Sequence, residues 1–144
     1  MCMLRQGVER NETQSFLGCM ADIYSKMLRK PTGSLPIVKF KEIIINSINI
    51  DNFITFQNGN LVKMFGTNDY TGNIEKFKKN KLYEISKNEK YFKNILSAID
   101  NFKKFLRNNN TVIDYEYIWD ILIQPNPKLF VSGLNIVIIN IPDN

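Results

Sequence analysis

The chain has 144 residues, of which 44% are hydrophobic and 12% aromatic; its formal charge is +5 and it has no histidine. That length suits one ordinary domain, and that apolar content excludes a wholly disordered chain. Without histidine, Ser-His and Cys-His nucleophile pairs are excluded, as is the commonest metal ligand.

The first helix is predicted to start at Asn11, where Asn11-Glu12-Thr13-Gln14 has the spacing of a capping box. Phe16, Met20, Ile23, Tyr24, Met27 and Leu28 then recur every three or four residues and form one apolar face. Arg29 and Lys30 suit its C-terminal dipole, and Pro31-Thr32-Gly33 ends it. Cys19 lies inside this pattern and is expected in the core. With Cys2 it makes only two cysteines, too few for a disulfide framework and, without histidine, for a zinc site. Both read as reduced thiols of a cytosol-like compartment.

A second helix is predicted to open at Pro36, with Phe40, Ile43, Ile44 and Ile48 on its apolar side. The β-branched run Ile43-Ile44-Ile45 leaves a strand open as an alternative, but flanking Lys39, Lys41 and Glu42 favour the helix. Asp51 suits the cap of a third helix, with Phe53, Phe56, Leu61 and Phe65 inward. Asn58-Gly59 divides it into two short helices. The stretch from Gly66 to Gly72 reads as an exposed polar loop.

Ser86-Lys87-Asn88-Glu89 is a second capping-box spacing. Behind it Phe92, Ile95, Leu96, Ile99, Phe102 and Leu106 hold a helical stripe, which predicts the longest element from about Lys87 to Arg107. Phe105 falls off that stripe. Asp114 is the expected cap of a short helix carrying Ile118, Trp119, Ile121 and Leu122, closed by Pro125-Asn126-Pro127. After Gly133, the run Leu134 to Ile141 is β-branched and apolar on both faces, which predicts a buried strand. The expected class is mainly α (α+β): one helical region over 1–144 with a C-terminal buried strand. Such a strand needs partners, and few candidates are present. The chain therefore reads as a fragment of a longer protein, with residues 134–141 opening a following domain.

No apolar run reaches the roughly 18 residues of a membrane span, and MCMLRQG lacks a signal-peptide hydrophobic region. No membrane partner is expected. Neither a Walker A loop nor a G-x-G-x-x-G motif occurs. Glu9 with Glu12, and Glu116 with Asp120, are spaced to share a helix side, as solvated carboxylates commonly do. No cofactor or metal is implied, and the chain is not read as an enzyme.

The charge is unevenly placed. Lys76, Lys78, Lys79, Lys81, Lys87, Lys90, Lys93, Lys103, Lys104 and Arg107 stand against only Glu84, Glu89 and Asp100 in the same stretch. At 100° per residue, Lys90, Lys93 and Lys104 lie opposite the apolar stripe of the long helix, with Asn94, Ser97 and Asn101 beside them. Such a face suits phosphates, with Asn and Lys able to touch base edges. The candidate nucleic-acid contacts are Lys76, Lys78, Lys79, Lys81, Lys90, Lys93, Lys104 and Arg107. Phe53, Phe56, Tyr115, Tyr117 and Trp119 are potential stacking rings, although core packing explains most of them. The chain also uses about twenty Ile and nearly as many Asn. That bias points to AT-rich coding and reduces the functional weight of Lys and Asn clusters.

Three stretches carry a resemblance. They are LRQGVERNETQSFLGCMADIY (Leu4 to Tyr24), IDNFITFQNGNLVKMF (Ile50 to Phe65), and YIWDIL with PNPKLFVSGLNIVIINIPDN (between Tyr117 and Asn144). Together they resemble an internal region of the large subunit of the early transcription factor of large nucleocytoplasmic DNA viruses. The resemblance implies promoter DNA, viral RNA polymerase and a helicase-like subunit as partners, with the virion and host cytoplasm as location. It carries no catalytic residue. The basic segment from Lys76 to Arg107 lies between the similar stretches, not within them. The competing expectations are a structural or assembly segment, and a piece of an enzyme whose active site lies elsewhere.

Overall fold

The computed structural model describes residues 11–28 and 35–139. Among them are seven α-helices: α1 (Ser15–Met27), α2 (Ile37–Ser47), α3 (Ile50–Phe53), α4 (Asn60–Phe65), α5 (Lys81–Ser86), α6 (Glu89–Arg107) and α7 (Tyr115–Ile123). The mainly helical expectation holds. No strand occurs among the described residues.

The long amphipathic helix α6 is the axis of the molecule. Phe92, Ile95, Leu96, Ile99, Phe102 and Leu106 of the predicted stripe are all buried. Each such side chain stabilises the fold by roughly 1.5–3 kcal/mol relative to exposure. Helices α2, α3 and α4 pack against α6. Phe102 meets Phe53 at 5.5 Å and Phe65 at 5.1 Å between ring centroids. Phe105, off the stripe, is also used: it lies 5.3 Å from Phe65 and 4.8 Å from Tyr117.

Local sequence sets the helix ends, though not always at the expected residue. Asn88, not Ser86, caps α6; its side chain accepts from the Tyr91 N–H at 3.0 Å. Lys87 in the left-handed region, φ 47°, closes α5 just before it. Asn49, not Asp51, caps α3, in a reciprocal pair with Asn52. The predicted break at Asn58-Gly59 is present as three consecutive positive φ values at Gln57, Asn58 and Gly59. The Asp120 carboxylate on α7 accepts the Gln57 N–H and holds that turn. Asp114 caps α7 as expected.

Two further expectations fail. In α1 the core face is rotated: Leu17, Met20 and Ala21 are buried, whereas Cys19 and Ile23, Met27 and Leu28 are exposed. Periodicity fixes the apolar arc only loosely when apolar residues occupy most of the helix. The second failure is the buried C-terminal strand. Leu134 to Ile139 runs without a ladder, and Val137 and Ile139 are 82% and 73% exposed; Asn140 and Ile141 lie outside the described residues. Leu134 is tethered by its N–H to the Leu122 carbonyl at 3.0 Å, and only Leu134 and Ile136 pack against the core. The helices already close the core, so the run finds no sheet to join among the described residues.

Two long polar side chains from distant segments, Lys41 and Gln14, meet inside the fold. Lys41 on α2 is 2% exposed. Its Nζ donates to Asn109 Oδ1 at 2.7 Å, Gln14 Oε1 at 3.2 Å and the carbonyls of Arg107 and Asn108 at 3.4 Å each. The ammonium therefore sits on the C-terminal carbonyls of α6, where the helix dipole favours a cation. Gln14 completes the joint: its Nε2 donates to the Asn108 and Thr111 carbonyls at 2.8 and 2.9 Å. Burial pushes the Lys41 ammonium below its ordinary 10.5, against a smaller opposing pull from Glu42.

Lys41→Met should lower stability by about 1–3 kcal/mol, because it strips a donor from buried acceptors. The gap to wild type should widen as pH climbs towards 10.5. In that window folded Lys41 sheds its proton before the unfolded chain does, so the unfolded state holds more protons and wild-type stability rises. Urea unfolding at neutral and alkaline pH reads both; an unchanged gap would refute the desolvation account.

Candidate nucleic-acid interface

The segment from Ile74 to Ser86 folds against the N-terminal half of α6. Tyr83 and Phe77 meet Phe92 at 5.1 and 6.3 Å. This packing brings Lys78 to the end of α6 that carries Lys90 and Lys93, and Lys79 and Lys81 follow it in the same segment; Lys76 instead lines a hollow of about 460 Å³ with Leu96, Ile99, Asp100 and Lys103, beside the middle of α6. Glu89 lies between two of the lysines: Lys93 bonds it at 2.7 Å, and Lys93 and Lys78 both hold its carboxyl below the usual range, Lys93 most strongly. Lys78 is itself raised, chiefly by Glu75 at 2.6 Å. Both pairs are exposed, and solvent-screened pairs of this kind contribute little, so a phosphate can replace the carboxylate at little cost. Lys76 lies 4.9 Å above the Phe77 ring. Lys79, Lys81 and Lys90 are exposed and make no ion pair with a described residue.

The remaining two candidates stand apart, towards the other end of α6. Arg107 makes a forked bond to Glu42, with Nε at 2.8 Å and the second nitrogen at 3.2 Å. Lys104 lines a polar hollow of about 490 Å³ with Asp69 and Asp100, whose charges oppose an approaching phosphate. Lys103 is turned towards the α2 terminus, where its Nζ reaches the Ile48 carbonyl at 3.4 Å and burial lowers its pKa. The eight candidates thus resolve into Lys78, Lys90 and Lys93 at the α6 N-terminal end, Lys79 and Lys81 in the segment packed against it, and Lys76, Lys104 and Arg107 beside the middle and far end of the helix.

No protein-family model, curated protein or solved structure matches this chain. The transcription-factor resemblance therefore rests on the quoted stretches alone.

The polar side of α6 is less open than its periodicity predicts. Ser97 is 4% exposed; its hydroxyl accepts from the Thr67 N–H at 2.8 Å and donates to the Thr67 carbonyl at 2.6 Å. Asn101 donates to the Phe65 carbonyl at 2.9 Å. The Gly66 to Gly72 loop is therefore fastened over this side, and Ser97 and Asn101 hold backbone instead of facing a partner. The potential stacking rings are also spent. Phe53 and Phe56 are buried, and Tyr115, Tyr117 and Trp119 are half-buried among other rings. The exposed ring at this end is Tyr91, which periodicity alone marks only as a non-stripe residue.

Ser97→Ala should free the loop locally. We expect faster hydrogen exchange at the Thr67 amide and a stability loss of about 1–2 kcal/mol, with α6 intact by circular dichroism. A Thr67 amide as protected as in wild type would show that other contacts fasten the loop.

Proposed function

We propose that the chain is a nucleic-acid-contacting segment of a viral early transcription initiation factor. Its phosphate-binding surface is the lysine cluster around the N-terminal end of α6. The observation that carries this reading is the gathering of Lys78, Lys90 and Lys93 at the N-terminal end of α6, with Lys79 and Lys81 in the segment packed against it; Lys79, Lys81 and Lys90 are exposed and make no ion pair with a described residue. Clustered cations release condensed counterions from DNA and steer its approach. The partially positive N-terminus of a 19-residue helix adds to the same field. The resemblance supplies promoter DNA as the polymer and viral RNA polymerase or a helicase-like subunit as neighbours in the assembly. The segment acts by binding and not by catalysis.

A second reading is a structural or assembly segment without nucleic-acid contact. The exposed apolar side chains of Val131, Val137 and Ile139 favour it, since such side chains suit burial against another protein surface.

The combined variant Lys79→Glu, Lys81→Glu, Lys90→Glu separates the two. Duplex DNA affinity should fall alike for unrelated sequences, and the slope of log affinity against log salt should flatten by about one unit per lost contact. Circular dichroism should stay that of wild type, because all three side chains are exposed. A folded variant with wild-type affinity and salt slope would leave the cluster as solvated surface and put the assembly reading first.

A further inference from the structure

Tyr91 is the exposed tyrosine of the chain, 47% accessible; the other five are at least partly buried. Tyr24, Tyr83, Tyr115 and Tyr117 all touch other rings. Tyr91 touches none among the described residues, and about half of it is open to solvent. It lines an open hollow of about 320 Å³ with Asn68, Asn88, Lys90 and Asn94. A second hollow of about 420 Å³ adjoins it, lined by Asn68, Glu89, Lys90 and Lys93. Lys90 and Asn68 are common to both. Asn68 is exposed, and the carboxamide of Asn94 lies beside Gly66 at the edge of the hollow; neither makes a hydrogen bond with a described residue.

The chemistry of this wall is that of an unpaired nucleotide site. An aromatic face takes a base by stacking. A carboxamide offers both a donor and an acceptor to a base edge. Lysines next to the ring neutralise the phosphate that links one nucleotide to the next. Duplex DNA satisfies little of this. Its base faces are already stacked and its Watson–Crick edges already paired, so it can use the lysines but not the ring. We propose that the paired hollows flanking Lys90 bind an unpaired stretch of DNA, with Tyr91 stacking on a base, Asn68 and Asn94 at base edges, and Lys90 and Lys93 at phosphates. This deepens the function proposed above and rests on it: the lysine cluster meets the polymer, and the Tyr91 wall selects strand that is already open.

The test uses the whole chain and two probes at one salt concentration, a twelve-nucleotide oligo(dT) and a twelve-base-pair duplex, read by fluorescence anisotropy. Tyr91→Ala should weaken oligo(dT) binding at least about fivefold, the low end of a lost base–aromatic stack, and leave duplex affinity unchanged. Tyr91→Phe keeps the ring and should bind oligo(dT) as wild type does. If wild type binds duplex and Tyr91→Ala binds oligo(dT) as tightly as wild type, the Tyr91 site is overturned and the phosphate surface stands. An equal loss on both probes overturns it too. Failure of wild type to bind either probe overturns both proposals. Because Tyr91 is exposed, the variants should keep the wild-type circular dichroism spectrum.

Discussion

A helix that ends inside a protein leaves carbonyl groups without partners, and something must reach them. In this fold the neighbours do so with side chains. Helix α2 sends Lys41 to the end of α6, and Gln14 joins it there. In return α6 sends Lys103 to the Ile48 carbonyl just beyond α2 and Asn101 to the last residue of α4. Asn52 and Asn126 reach the Ser47 carbonyl at 2.9 and 3.2 Å. These contacts run α2 and α6 in opposite directions, since residue 41 lies at the end of α6 and residue 48 beside Lys103. They also fix the register between the helices, which apolar packing alone leaves more tolerant. Among the described residues no buried side-chain nitrogen or oxygen lacks a partner.

That same requirement shapes the surface. Donors on the polar side of α6 are drawn off to hold backbone: Ser97 to Thr67, Asn101 to Phe65. What remains for a partner lies at the N-terminal end, where the helix presents free N–H groups and positive potential instead of carbonyls. The division of α6 into a structural half and an available half follows from the direction of its peptide bonds.

Much of this was legible in the sequence, and the limits are specific. The α6 stripe was readable because six apolar residues recur on one arc and lysines fill the other. The Asn58-Gly59 break and the Asp114 cap follow from backbone preferences that act locally. Lys41 was not readable. Between Phe40 and Glu42 it looks like any solvated lysine, and only the arrival of Gln14 and Asn109 from distant segments makes its burial tolerable. The strand expectation at Leu134 failed for the same reason. β-branched residues favour extended backbone, but whether a ladder forms depends on an edge supplied from elsewhere. At the candidate site, the basic surplus was visible as a run of letters. Its separation into cations gathered at one end of α6 and cations diverted elsewhere needed the contacts of Phe92, Glu89, Glu42 and Asp100. Tyr91 gave one signal, a large ring outside the apolar arc, which in a lysine-rich helix merits as much attention as the charges.

The extended run from Leu134 to Ile139 has no charge and no proline, and most of its β-branched side chains face solvent. In colloidal terms it is an adhesive strip on a particle that carries net positive charge. Repulsion between copies keeps the strips apart while its range is long. At physiological ionic strength that range shrinks to about 8 Å, comparable with the reach of the side chains themselves. Dispersal of the chain is therefore an electrostatic property, set by its surplus of lysines. Whatever neutralises them also brings the strips within contact.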